Sequence, residues 1–439
     1  MRRIIMKNCL QILVIVLISS VCIMAQPNFT PYSSGNPVLP KGNSGDWDEN
    51  ALWAPSVTVV NDTFYLTYNG TTNFQMVPIA IGLATSADGF TFTRCASNPI
   101  LTADGSGFDS YNVVGGQLFY ENGTWYIYYS GRSLPPNQPG NVISRTTADS
   151  PRGPWTTSDD SLLTVGSTGE WDSEFVGVSS IISTDKELMM YYWGGSAWPG
   201  GGHQIGLATS GDGGLTWTKY NDPATTNPPY AESDPVLPVG AAGSIDDNGI
   251  LGCSVLKRTI QWEMFYAGGD GDSTSICYAT SSDGIIWNKH PLNPVLSPSK
   301  DQLAYDLLEV PSIVLFNDRY FLYYDYGVFS NGIGLATADT ITSINPQFTY
   351  RPATFALYQN YPNPFNPLTA IGYQLSALSD VDLSIYNLIG QKVVTLVNKR
   401  QPPGRYQVEW DASGFASGVY YYKIESGNYV QTRKMIYLK

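Results

Sequence analysis

Ile81-Gly-Leu-Ala-Thr-Ser-Ala-Asp-Gly-Phe90 decides the fold, because it recurs along the chain. Ile205-Gly-Leu-Ala-Thr-Ser-Gly-Asp-Gly-Gly214 and Ile276-Cys-Tyr-Ala-Thr-Ser-Ser-Asp-Gly-Ile285 are further copies. Ile333-Gly-Leu-Ala-Thr-Ala-Asp339 is a shortened copy, and Val142-Ile-Ser-Arg-Thr-Thr-Ala-Asp149 a more distant one. Three other phrases travel with it. An Asn/Asp-Pro phrase stands at Asn36-Pro-Val-Leu39, Asn98-Pro-Ile-Leu101, Asp234-Pro-Val-Leu237 and Asn293-Pro-Val-Leu296. An aromatic-Asp pair stands at Trp47-Asp48, Phe108-Asp109, Trp171-Asp172 and Tyr305-Asp306, with Ile245-Asp246 in its place in the fourth unit. Aromatic strands run at Phe64–Tyr68, Trp125–Tyr129, Leu188–Tyr192, Trp262–Tyr266 and Tyr320–Tyr324.

A unit of roughly sixty residues repeated five times is the signature of a repeat architecture. Within each unit an apolar run such as Pro55–Val60, a turn such as Asn61-Asp62, Asn122-Gly123 or Asn317-Asp318, the aromatic strand and the Ile-Gly-Leu-Ala-Thr strand follow in order. A short fourth strand, near Phe90–Arg94 or Leu215–Lys219, completes it. Four strands joined by tight turns make an antiparallel meander. Such blades close into a ring with protected edges. The prediction is an all-β chain: a five-bladed β-propeller over residues 26–350, followed by a small Ig-like β-sandwich over 351–439. The opening Asn36-Pro-Val-Leu39 has no strands of its own before it, so the N-terminal piece is expected to complete the last blade.

Composition agrees. Of 439 residues 14% are charged, whereas Tyr (30), Trp (11), Gly (43) and Pro (29) are abundant, as short strands and many turns require. Arg2, Arg3 and Lys7 precede the apolar run Leu10–Ala25, which reads as a signal peptide over residues 1–25 with a small residue, Ala25, at its end. Cys22 raises the alternative of a lipoprotein, against which stands the bulky Val21 before it. No transmembrane segment is expected in the mature chain.

Charge is unevenly shared. The signal carries three basic residues, and residues 352–439 carry eight basic and five acidic, which leaves a net of −19 on the middle of the chain. That field repels nucleic acid and favours neutral ligands. Past the signal stand Cys95, Cys253 and Cys277, an odd number at wide spacing and no disulfide framework. With only His203 and His290 present, no metal site and no cofactor are expected.

A propeller gathers the first strand of every blade around a central funnel. The acids leading into those strands are Asp48 and Glu49, Asp109, Asp172 and Glu174, Asp246 and Asp247, and Asp306 and Glu309. Carboxylates meeting across a funnel are the equipment of glycoside hydrolysis. Asp48, Asp109, Asp172 and Asp306 recur at one place of the unit, which points to turns and caps. Glu174 and Glu309 break the pattern and are the stronger candidates. Trp53, Trp193 and Trp198 are expected to stack on sugar faces, the last two from the Gly-rich stretch 193–202 that leads to His203; Trp125, inside a strand, is expected to pack.

The middle of the chain resembles the five-bladed glycosidases of glycoside hydrolase families 43, 32, 62 and 68. Ser150-Pro-Arg-Gly-Pro-Trp155, Trp53-Ala-Pro-Ser56 and Glu309-Val-Pro-Ser312 carry the likeness, over about residues 35–340. The resemblance implies Glu309 as general acid. It also expects an Asp before Pro in the first blade, where this chain has Ala54, and an Asp near Gln117 in the second. Ser210-Gly-Asp-Gly-Gly-Leu-Thr-Trp217 resembles the sialidase Asp-box, a structural turn, but the few propeller arginines and the acidic field oppose an acidic sugar.

Tyr361-Pro-Asn-Pro-Phe-Asn-Pro367, Ile385-Tyr386-Asn387 with Gly390-Gln391, and Ser417-Gly418-Val419-Tyr420 resemble the type A C-terminal sorting domain of the type IX secretion system. That implies export through periplasm and outer membrane to the medium or cell surface, with the secretion machinery as partner. An accessory carbohydrate-binding sandwich is the alternative for this module. Two functions follow for the whole chain. The first is a glycoside hydrolase-like enzyme on a neutral polysaccharide or oligosaccharide, with Glu309 or Glu174 as acid, Asp48 as base, and Trp53, Asp109, Asp172, Trp193, Trp198 and His203 binding substrate. The second is a non-catalytic carbohydrate-binding or adhesion propeller.

Overall fold

A computed structural model describes residues 26–439 apart from 34, 74–77, 106, 133–141, 158–160, 197–201, 260, 299–306, 326–331, 341–354, 402–403 and 428. The predicted signal peptide lies outside the described residues. Five antiparallel sheets form the propeller. Their innermost strands are Ala51–Val60, Asn112–Glu121, Phe175–Ser183, Gly249–Lys257 and Ser312–Phe316. Each pairs with a second strand, Thr63–Thr71, Thr124–Arg132, Leu188–Gly195, Trp262–Gly269 or Arg319–Asp325, and then with a third that contains the Ile-Gly-Leu-Ala-Thr phrase or its variant. Left-handed Asn61 (φ 48°) and Asp62 (φ 59°) make the two-residue turn that matches strand twist.

The innermost strands are stitched together by serines. Leu118 N–H donates to Ser56 Oγ (3.4 Å), Val255 N–H to Ser180 Oγ (3.1 Å) and Ile313 N–H to Ser254 Oγ (3.1 Å). Val57 N–H donates to Ser312 Oγ at 2.9 Å, which joins the fifth blade back to the first and closes the ring. Gln117 stands where the second blade would carry its serine, and Ser56 donates to its Oε1 at 3.2 Å.

As expected, the N-terminus finishes the fifth blade. Thr30–Pro31 and Leu39–Pro40 both pair with the third strand Gly332–Asp339. Asn36 mimics a peptide group there: Leu335 N–H donates to its Oδ1 (2.8 Å) and its Nδ2 donates to Leu335 O (2.9 Å). Asn98 does the same to Leu83, at 2.9 Å both ways. The second blade has an equivalent that its sequence hides, Leu163 bridged to Ile143.

The repeat glycine has a steric cause. The aromatic of the aromatic-Asp pair lies on the third strand, so a β-carbon at Gly82 would come within 2.6 Å of Trp47. Trp47 faces Gly82 in blade one and Trp171 is matched by Gly206 in blade three, whereas smaller Phe108 and Ile245 are matched by Ser144 and Cys277. Space is traded between the two positions.

Residues 356–439 form the second domain. Ala356–Leu357, Leu368–Leu375 and Gly404–Asp411 make one sheet; Lys392–Gln401, Ser379–Tyr386, Gly418–Ser426 and Tyr429–Tyr437 make the other. Its core is its own, built from Leu357, Phe365, Ile371, Leu383, Trp410 and Tyr422 among others. Among the described residues no helix is long and apolar enough to cross a membrane.

Candidate functional site

At one level of the funnel the repeat places Trp53, Val114, Gly177, Leu251 and Glu309, each three residues before the ring serine or, in the second blade, Gln117. Trp53, Val114 and Gly177 pair with Asn69, Ser130 and Trp193 on the second strand of their own blade. In the fifth blade the partner is Asp325, whose N–H donates to Glu309 O at 3.1 Å. Glu309 and Asp325 are the only ionisable side chains among these residues, and both belong to blade five.

In four of the five blades the residue after the innermost position takes a left-handed conformation. Gly115 (φ 69°) and Gly252 (φ 93°) take the left-handed conformation without cost, but Ala54 (φ 54°) and Val310 (φ 44°) take it as well. A β-branched residue there is strained, and such strain persists where the surroundings fix it. Both strained residues flank the blade five–blade one seam, beside Glu309 and Trp53.

Ala54 N–H donates to Asp325 Oδ1 at 2.7 Å across that seam. Asp325 is 6% exposed, and burial first, then the negative charge of Glu309, hold its carboxyl well above the usual aspartate range against the opposing Ala54 amide. Glu309 is half-buried, and desolvation raises its carboxyl too. The charge of Glu309 thus adds to burial in keeping the proton on Asp325.

The other predicted residues fall elsewhere. Asp48 is fully buried and ion-paired to Arg94 Nε at 2.9 Å within its own blade. Asp109 accepts from Tyr129 Oη (2.7 Å). Asp172 accepts from Tyr192 Oη (3.1 Å) and pairs with Lys219 (2.6 Å). Asp246 repeats the pattern with Tyr266 (3.0 Å) and Lys289 (2.6 Å). Asp48, Asp172 and Asp246 each reach a cation on the fourth strand of their own blade and Asp109 a second-strand tyrosine, buried within the blades, against the expectation of Asp48 as base and of Asp109 and Asp172 as substrate contacts. In each, one carboxylate oxygen is held by a hydroxyl, a cation or both. Asp306 lies outside the described residues.

Glu174 is exposed at the start of the third blade's innermost strand, where its N–H donates to Gly195 O at 3.1 Å. Trp193 packs on Phe175 (ring centroids 4.7 Å) and on His203 (5.8 Å). His203, expected to bind substrate, is 4% exposed and sets its ring edge-on against Phe175 and Trp193. Trp198 lies outside the described residues. The three Ser-x-Asp turns are structural, as in Asp88 Oδ1 accepting from Phe90 N–H (2.8 Å) and Thr91 N–H (2.9 Å). No group of three or more potential metal ligands occurs among the described residues.

Sequence reasoning missed Asp325. The signal was present: after the second tyrosine of the aromatic strand the repeat carries Asn69, Ser130, Trp193 and Ala267, and only blade five puts a charge there. A cavity of about 570 Å³ opens at the opposite end of the axis, lined by Thr58, Phe119, Ile181 and Leu256, far along the innermost strands from these acids.

Comparison with known proteins divides the chain in the same way. Residues 359–438 match the family described as Secretion system C-terminal sorting domain. The chain is therefore an exported one, secreted or attached at the cell surface. Arabinan endo-1,5-α-L-arabinosidase A of Aspergillus niger is 36% identical over 102 residues, 23% of this chain and 30% of the enzyme. A relative in Emericella nidulans is 42% identical over 103 residues, 31% of its length. The chain thus matches less than a third of the length of these curated relatives. A glycosyl hydrolase structure from Bacteroides ovatus superposes with a TM-score of 0.55 at 16% identity, covering 72% of this chain and 94% of that one. A structure from work on the family 130 mannoside phosphorylases, which contains glycoside hydrolases targeting β-1,2 mannosidic linkages in Candida mannan, gives 0.55 at 16%, covering 72% and 95%. At such identity the likeness is one of fold: a glycoside hydrolase-like propeller.

Proposed function

We propose that the protein is an exported enzyme that cleaves a neutral polysaccharide at the funnel mouth, with Glu309 as general acid. One observation carries the reading. Among the described residues of the innermost level Glu309 is the only acid, half-buried, and burial raises its carboxyl towards the protonated form. A general acid must keep its proton at working pH and give it to a leaving-group oxygen, and burial is the usual means of raising a glutamate for that task. Trp53 on the adjacent blade offers a flat apolar face for a sugar ring. With Asp48 held by Arg94 and Ala54 at the place of the resembling families' base, the exposed Glu174 on blade three is the carboxylate assigned to activate water. The acidic propeller favours an uncharged substrate. The partial match to arabinan-cleaving relatives makes α-1,5-arabinan the first to try.

The test is a screen of the mature protein on arabinan, xylan and β-mannan with their oligosaccharides, for both cleavage and binding. Glu309→Gln is expected to lower kcat by about a hundredfold or more while binding survives. Unchanged turnover in that variant overturns the reading.

A second reading, a carbohydrate-binding propeller without hydrolysis, is favoured by Ala54 alone. Binding with no product from any substrate would support it.

A further inference from the structure

Leu388 and Ile389 are the two most exposed large apolar side chains among the described residues, 69% and 77% exposed. They stand side by side on the turn between strands Ser379–Tyr386 and Lys392–Gln401 of the sorting domain. Hairpin tips in the propeller are polar or small, as at Asn61-Asp62, Asn122-Gly123 and Asn317-Asp318, which is the usual chemistry of a turn in water. A single exposed aliphatic is ordinary on any surface, but this pair is mounted on a frame. Asn387 Oδ1 accepts from Ile389 N–H (3.2 Å) and Gln391 N–H (2.9 Å), and Asn387 Nδ2 donates to Gln391 Oε1 (3.0 Å). Along the backbone Asn387 N–H donates to Gln391 O and Gly390 N–H to Asn387 O, both at 3.0 Å. Gly390 supplies the left-handed step (φ 79°). Asn387, Gly390 and Gln391 thus build the frame, and Leu388 and Ile389 are what it displays.

The base of the turn is fixed as well. Ile385 faces Val394 whereas Tyr386 faces Lys392, so a bulge sits one residue below the tip and re-aims it. Lys392 Nζ lies 5.9 Å from the Tyr386 ring centroid and pairs with Asp382 at 3.2 Å. We propose that Leu388 and Ile389 are the contact by which the sorting domain is read, inserting together into an apolar pocket of the secretion machinery. The proposal rests on the match of residues 359–438 to the sorting family and is independent of the glycosidase reading. Residues 387–391 carry no charge, which fits an apolar pocket and not an ionic partner. An anionic membrane surface would call for free basic side chains beside the apolar pair, and the adjoining Lys392 is already paired with Asp382. Side chains held in place before contact lose little freedom on binding, so a small apolar tip is an effective hot spot.

The test uses the full chain in a host that possesses the type IX secretion system. Leu388→Ser combined with Ile389→Ser is expected to lower the exported protein by about tenfold or more, with the missing protein held in the periplasm. The melting transition of the sandwich should survive in the purified variant, because both side chains are exposed. The conservative pair Leu388→Ile and Ile389→Leu is expected to restore export. Leu215→Ser with Ile286→Ser removes similarly exposed aliphatics from the propeller (64% and 68% exposed) and should leave export unchanged. Undiminished export of the 388/389 serine variant overturns the proposal, and so does an equal loss in the 215/286 control. A photo-crosslinking residue in place of Ile389, with the rest of the chain as in the wild type, identifies the occupant even should the serine variant fail to fold. An adduct to a protein of the secretion machinery is expected; adducts only to lipid or to a second copy of this chain overturn the proposal. Absence of glycosidase activity bears on none of these outcomes.

Discussion

At the scale of the residue, the acids of this chain sort by what they touch. Asp48, Asp109, Asp172 and Asp246 answer tyrosine hydroxyls or cations and build blades. Asp325 answers a backbone amide and another carboxyl, so burial raises it where the others find a partner. The sign of its stability effect follows. A carboxyl raised in the folded state favours folding in its protonated form, and that contribution is complete below the ordinary aspartate value of 3.8 and lost as pH rises through the folded value. Asp325→Asn abolishes this titration while retaining an acceptor for the Ala54 amide. Its melting temperature is therefore expected to exceed that of the wild type at neutral pH, with the gap closing as pH falls towards 3.8, measured by scanning calorimetry.

At the scale of the element, the blade is a spacing problem solved locally. The second tyrosine of the aromatic strand lies between the aromatic of the aromatic-Asp pair and the Asn-Pro phrase, and the third strand must leave room for the first of these. Trp47 stacks on Tyr68 at 5.7 Å with Gly82 beneath. Adding a methyl there overpacks the contact, so Gly82→Ala is expected to cost about 1–3 kcal/mol in denaturant unfolding. Trp47→Ile should recover part of that loss, since blade four already pairs Ile245 with Cys277. A double-mutant cycle without coupling would reject the trade of space. The serine ring works at the same scale. Each Oγ satisfies one backbone N–H of the next blade, and a buried N–H left without a partner is expensive. Only the joint from blade two, where Gln117 interrupts the series, lacks its serine among the five innermost strands.

At the scale of the molecule, the propeller and the sandwich keep separate hydrophobic cores and opposite charge. The sorting domain carries a small basic excess on an otherwise acidic chain. Separate cores unfold separately. Removal of residues 356–439 is expected to leave the melting transition of the propeller in place and to abolish export, with the propeller recovered from the periplasm. Loss of that transition would show that the sandwich supports the propeller. The funnel mouth should be unaffected, because its side chains come from blades one, three and five.

Blade count, ring closure by the N-terminus and the exported C-terminal module were legible in the amino-acid sequence, because turns, strand alternation and recurring phrases are local properties that survive in each copy. Leu163 escaped because its blade has lost the Asn-Pro phrase, although its backbone still bridges to Ile143. Within the site, Glu309 could be seen as the acid that breaks the repeat. That Asp48 is consumed by Arg94, and that Asp325 meets both Glu309 and the Ala54 amide, was decided only in three dimensions. A side chain's charge state depends on what is packed against it, and ring closure sets Asp325 beside a residue 271 positions away along the chain.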